Sequence, residues 1–243
     1  MTGTTKDASF IKRVKEFWHA LLLIVPITIG WIRFLIRNRD LPQEKKAELF
    51  WDMSAKNMDR MAENEGLKKF EAGRKEKLEK YLPGSDRILD YGCGTGTLSL
   101  RFAGRVKEIH GIDFAAGMIK AAQKKAAESG VDNARFMQAT IFDPRLKKGS
   151  YDAVLAWGIL HLVDDRNLVM KRINELLKPG GLFISKAPCM GEEKSVLNSL
   201  LSVVTKIGII PPMRFFKIAE MEDCVTGGNF HIVETECLTP TES

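Results

Sequence analysis

Cysteine is scarce in this chain of 243 residues: Cys93, Cys189, Cys224 and Cys237 lie far apart, with no Cys-x-x-Cys pair and no histidine at zinc-ligand spacing. That pattern excludes a disulfide framework and a metal centre and fits a reducing, cytoplasmic compartment. Low-complexity sequence is absent too. With 44% hydrophobic residues, the chain can close one substantial core, which excludes general disorder and collagen-like repeats. Excess charge is missing from most of its length. Of the net +6, residues 1–39 carry +5, through seven bases and two acids, and the remainder is nearly balanced. A folded domain without basic surplus is poorly suited to phosphate backbones, so no nucleic-acid partner is expected.

The basic end brackets an apolar stretch. Phe17–Ile32 is sixteen residues without Asp, Glu, Lys or Arg. As a helix it reaches about 24 Å, short of the ~30 Å hydrocarbon core unless Arg33 snorkels and the helix continues to Ile36. Trp18 and Trp31 stand near its ends, where indoles favour headgroups, while Pro26 and Gly30 loosen its middle. Contact with a membrane through residues 10–37, spanning or interfacial, is the expectation; a hydrophobic helix packed as a lid is the alternative. No small-residue cleavage site follows, so a signal peptide fits less well. The expected organisation is a membrane-associating segment over 1–40, a helical cap over 41–82, and a main domain over 83–243 with an insertion at 190–216.

Residues 41–81 place Leu49, Phe50, Met53, Met58, Met61, Leu67, Phe70, Leu78 and Tyr81 at helical spacing, which predicts two amphipathic helices. Beyond Pro83 and Gly84 the pattern alternates. Strands are predicted at 87–91, 108–112, 135–138, 153–157 and 182–186, with helices at 115–129 and 167–177 between them. Such alternation implies right-handed crossovers and an α/β, doubly wound, mostly parallel sheet covered on both faces. An apolar helical insertion over 195–210, a helix over 217–225 and a final strand over 231–238 complete the reading.

Ile88-Leu89-Asp90-Tyr91-Gly92-Cys93-Gly94-Thr95-Gly96 is an apolar strand running into a glycine-rich turn, where backbone can approach a ligand closely. The third glycine comes one residue too early for the dinucleotide-binding fingerprint Gly-x-Gly-x-x-Gly, and Asp90 precedes the first glycine by two. A second acid, Asp113, ends the next strand. Each acid has a plain structural role open to it, as a cap on the helix that follows. Two carboxylates at the carboxyl ends of adjacent parallel strands are otherwise costly unless a ligand supplies hydroxyl and ammonium donors.

The acid-x-Gly-x-Gly-x-Gly pattern resembles the first motif of class I S-adenosylmethionine-dependent methyltransferases. The resemblance extends over residues 86–187, through Gly111-Ile112-Asp113-Phe114, Tyr151-Asp152-Ala153-Val154-Leu155-Ala156-Trp157 and Leu176-Leu177-Lys178-Pro179-Gly180-Gly181. It looks closest to the ubiquinone and menaquinone C-methyltransferases. The resemblance implies a Rossmann-like sheet with S-adenosylmethionine held by Asp90, Tyr91, Gly92, Cys93, Gly94 and Gly96. It also places Asp113 on the ribose, Phe114 and Met118 about the adenine, Thr140 and Ile141 beside it, and Trp157 in the pocket wall.

Two departures stand out. Thr140 replaces the acid that many relatives place after the third strand. The family's antiparallel seventh strand is also lacking, since a sixth strand ends the chain; the sheet edge is either closed differently or cut short. Methyl transfer chiefly needs alignment of the acceptor and exclusion of water. His161 can serve as a base or as a structural histidine. Together with the apolar N-terminus and insertion, these features predict a small, lipophilic acceptor, quinone-like or lipid, at a membrane surface. Methylation of protein or nucleic acid, and a tethered cofactor-binding protein without transfer activity, are the alternatives. The Asn/Asp-Pro-Pro-aromatic motif for exocyclic amines is absent.

Overall fold

The computed structural model describes residues 33–37, 39–62, 80–82, 87–192, 196–206 and 210–237. Two compact units emerge, Met1–Phe50 with Glu193–Pro212, and Trp51–Glu192 with Met213–Ser243. Among its described residues the first unit holds a short helix over 33–37, the start of α1 (Gln43–Ala62) and, later in the chain, α5 (Val196–Lys206). The predicted insertion helix is thus present over Val196–Lys206. The second of the two helices expected over 41–81 lies outside the described residues apart from its end at 80–81, as do residues 10–32 of the expected membrane segment. No helix among the described residues is long and apolar enough to cross a membrane.

The larger unit is built on five parallel strands, β1 (Arg87–Tyr91), β2 (Glu108–Asp113), β3 (Ala134–Gln138), β4 (Tyr151–Trp157) and β5 (Leu177–Lys186), in the order β3-β2-β1-β4-β5. The connecting helices are α2 (Thr97–Phe102), α3 (Ala116–Glu128) and α4 (Arg166–Leu176), and α6 (Ile218–Gly227) follows the sheet. Alternation along each strand sorts side chains between two helix layers. Ile88, Ile109, Ala153 and Leu155 join Phe102 on one face, and Ala122, Ala126 and Phe136 extend that face under α3. Leu89, Ile112 and Val154 meet Val169, Met170, Ile173 and Cys224 of α4 and α6 on the other. Each fully buried Ile or Leu contributes about 1.5–3 kcal/mol, so the central strands β1 and β4 anchor both layers.

The chain runs outward from β1 to β3, then restarts at β4 and runs outward the other way. That reversal falls between β1 and β4, and it is outside the carboxyl ends of the strands at such a point that doubly wound sheets bind ligands.

Two expectations are corrected. The strand expected over 182–186 begins earlier, at Leu177, and Lys178-Pro179-Gly180-Gly181 is an irregularity within it, the register stepping from Tyr151↔Leu177 to Ala153↔Leu182. Pro179 lacks a donor for the ladder and Gly180 takes φ +76°, so the stretch loops out while the strand continues. No strand forms over 231–237, and Leu238 lies outside the described residues. Instead Glu234 is held by Tyr81 and Lys80, and Val233 is 77% exposed, so this segment is tied elsewhere than to the edge of β5.

Candidate active site

The turn after β1 is shaped by three glycines at positive φ, Gly92 (+76°), Gly94 (+52°) and Gly96 (+74°). They serve different ends. A Cβ on Gly92 would lie 2.8 Å from Ile159 Cγ1, and one on Gly96 would lie 2.9 Å from both Ala122 Cβ and Phe136 Cζ. Those two glycines let the turn pack on the loop after β4 and on α3. At Gly94 the nearest atom is the Met58 Cε methyl at 3.7 Å, so this glycine alone of the three leaves room on its open side.

Asp113 is hydrogen-bonded to the backbone of that glycine. Its Oδ2 accepts a hydrogen bond from Gly94 N at 3.0 Å and its Oδ1 from Ala115 N at 2.9 Å. The carboxylate therefore fixes the turn and also takes the capping role open to it at the entrance of α3. Burial pushes its pKa up, against the lowering effect of those backbone donors. Asp90 sits on the neighbouring strand with Gly111 as its register partner and accepts a hydrogen bond from Ser99 Oγ at 2.5 Å. Burial raises it to about 6, Ser99 opposes the shift, and the charge of Asp113 adds to it. Two acids with destabilised charges beside an open glycine are suited to a ligand bearing cationic and hydroxyl groups.

The other expected residues fall around this pair. Tyr91 is half-buried against the α4 side of the core, its hydroxyl raised to about 12 by burial and by Asp113. Cys93 is buried under α3, and burial lifts its thiol well above the ordinary range, so it is a packing residue rather than a nucleophile. Phe114 is partly buried, and its carbonyl accepts from Gln138 Nε2 at 2.9 Å. Met118 is fully buried against Ala55 and Ala115. Ala139 N donates to Asp113 O at 2.9 Å, which brings the exposed Thr140 to the end of β2, while Ile141 belongs to the core under α4. Trp157 ends β4 on the Ile88 face, with the Lys186 ammonium 5.5 Å from its ring centre.

His161 lies in the short helical turn Leu160–Leu162 after β4, two residues beyond the Ile159 side chain that fills the space at Gly92. Its Nδ1 is buried with no hydrogen-bond partner among the described residues. Burial lowers its pKa from 6.5, so the ring is neutral at pH 7 and can accept a proton. Arg214 N donates to His161 O at 2.7 Å, fixing the backbone there. His110 makes contacts of another kind, with Glu108 Oε1 at 2.9 Å and Tyr151 Oη at 3.0 Å, toward the opposite end of the strands.

Sequence reasoning missed four residues. Asp52 Oδ1 accepts from Gly117 N at 2.7 Å, supplying the cap that α3 lacks from its own N-cap residue. Asp59, Lys125 and Thr95 form a hydrogen-bonded cluster beside the glycine turn. The available signal was the placement of Asp52, Ala55 and Asp59 on one face of a helix otherwise read only for its apolar stripe. Among the described residues no group of histidine, cysteine and carboxylate side chains could hold a metal ion.

Residues 82–220 match the family described as a methyltransferase domain. An uncharacterized methyltransferase of Mycobacterium bovis is 32% identical over 105 residues, covering 43% of this chain and 52% of its own. The ubiquinone biosynthesis O-methyltransferase of Xanthomonas axonopodis pv. citri is 36% identical over 104 residues, 42% of this chain and 44% of its own. The chain thus spans about half the length of the curated relatives it matches. Geranyl diphosphate C-methyltransferase from Streptomyces coelicolor, solved with Mg2+, geranyl diphosphate and S-adenosyl-L-homocysteine, superposes with a TM-score of 0.57 at 19% identity, covering 67% of this chain and 61% of that one. At that identity the likeness establishes the fold.

Proposed function

The chain belongs to the methyltransferase domain family, and on that premise we propose that it transfers the methyl group of S-adenosylmethionine to a small, lipophilic acceptor, quinone-like or lipid, at a membrane surface. The observation that carries the cofactor reading is the Asp113 carboxylate, hydrogen-bonded to Gly94 N and Ala115 N beside the one glycine of the turn with room on its open side. Asp113 would take the ribose hydroxyls and Asp90 the ammonium group, with Gly94 admitting the ligand against bare backbone. S-adenosylmethionine supplies an activated methyl on a sulfonium, so little covalent chemistry is left to the protein. The chain's part is to align the acceptor, exclude water and receive one proton.

His161 would take that proton. An unpartnered, neutral imidazole nitrogen in a buried position is costly until it accepts a hydrogen bond, and an acceptor hydroxyl or acidic carbon brought beside it would satisfy it. The lipophilic acceptor is supported by the apolar, basic-flanked residues 10–37 and by relatives whose names specify ubiquinone biosynthesis and geranyl diphosphate. Incubating the full chain with methyl-labelled S-adenosylmethionine and a membrane lipid extract tests the reading. Label should appear in the organic phase; label only in added protein or RNA would reject the lipophilic acceptor.

A further inference from the structure

Helix α1 lays one face across the proposed cofactor site. Trp51 and Ala55 pack on Ala115 and Met118, Asp52 caps α3 through Gly117 N, and the Met58 methyl is the nearest atom to the open side of Gly94. At the next residue, Asp59 Oδ1 accepts from Thr95 Oγ1 at 2.5 Å and from the Lys125 ammonium. Lys125 Nζ also donates to Thr95 Oγ1 and Thr97 Oγ1, each at 2.9 Å. An ammonium has three donors, and here they reach three oxygens on three separate stretches: α1, the glycine turn and the first residue of α2. All of these residues lie in the larger unit. Lys125 and Asp59 side chains are only 28% and 31% exposed, so solvent and salt screen this pair less than an ordinary surface pair.

At Gly94 the contact of α1 with the turn is the Met58 methyl, 3.7 Å from where a Cβ would lie. The charged cluster ties the helix directly to the turn. Anything seated against Gly94 lies beside Met58 and cannot leave past α1 unless that tie yields. We propose that Lys125 and Asp59 form a latch that holds α1 over the bound cofactor and sets the rate at which cofactor and demethylated product exchange. Both are positioning residues, acting through α1. The proposal rests on the cofactor reading above.

Stopped-flow displacement of S-adenosylhomocysteine from the full chain, followed by tryptophan fluorescence, tests it. Asp59→Asn and Lys125→Met should each raise the release rate about tenfold, the loss of one charge-assisted tie, and the two combined should add little. Thr97→Val, which leaves both charges in place, should give a smaller rise of about threefold. The exchange of charges in Asp59→Lys with Lys125→Asp should bring release below the rate of either single variant, because it restores an opposite-charge pair between α1 and α3. In ligand-free protein, hydrogen exchange over 51–59 should quicken in the single variants. Release rates within twofold of wild type in all single variants would overturn the latch while leaving the cofactor reading intact. A wild-type chain that binds no S-adenosylhomocysteine would overturn both.

Discussion

Asp90 shows how burial writes a pH dependence into one side chain. Its pKa is raised from 3.8 to about 6, so the folded chain keeps a proton that the unfolded chain has released. Ionising it within the fold costs about 3 kcal/mol. Stability should therefore fall as pH rises from about 4 to about 6, and Asp90→Asn should remove that slope in urea titrations at several pH values. A ligand ammonium favours the carboxylate, so affinity for S-adenosylhomocysteine should rise about tenfold between pH 5 and pH 7 in the wild type and stay flat in the Asn variant. The glycines separate packing from binding in the same way. Gly94→Ala meets no close atom and carries only the strain of a left-handed backbone, about 1–2 kcal/mol, so it should fold and lose ligand binding. Gly96→Ala drives a methyl to 2.9 Å from Ala122 and Phe136 and should lower the melting temperature more. Comparing melting curves with ligand titrations for both variants checks the contrast.

The elements followed the sequence where a local rule determined them. Asp165 caps α4 by accepting from Leu168 N at 2.9 Å; Asp165→Ala should cost about 0.5–2 kcal/mol, read as a lower denaturation midpoint. The strands were legible because their apolar runs stop at glycines and prolines, and β1 was read to the residue. The glycine turn was legible because backbone at positive φ needs glycine there, and Asp113 was legible as the acid that ends the second strand. What was not legible depends on distant partners. The Asp52 to Gly117 bond joins residues 65 positions apart, so the polar residues of α1 looked like a solvated face. The segment at 231–237 has strand-forming residues, yet pairing needs an edge within reach, and Glu234 is tied to Tyr81 and Lys80 instead.

For the whole molecule, the charge asymmetry has a direct consequence. Nearly all the net charge lies in residues 1–39, beside the apolar stretch, and basic groups near anionic lipid contribute about 1 kcal/mol each. Deleting residues 1–39 should shift the protein from pellet to supernatant when it is sedimented with anionic vesicles. Affinity for S-adenosylhomocysteine should be unchanged, because the glycine turn, Asp90 and Asp113 all belong to the larger unit. Partitioning that is unaltered by the deletion would retire the membrane contact.

The most direct test of the account is isothermal titration of the folded full chain with S-adenosylhomocysteine, beside Asp113→Ala. The wild type should bind one equivalent, and the variant should lose about 1–3 kcal/mol of affinity, the value of charge-assisted hydrogen bonds. No detectable heat from the wild type, or equal affinity in the two proteins, would contradict the assignment of the Asp90 to Gly96 turn and Asp113 as the cofactor site.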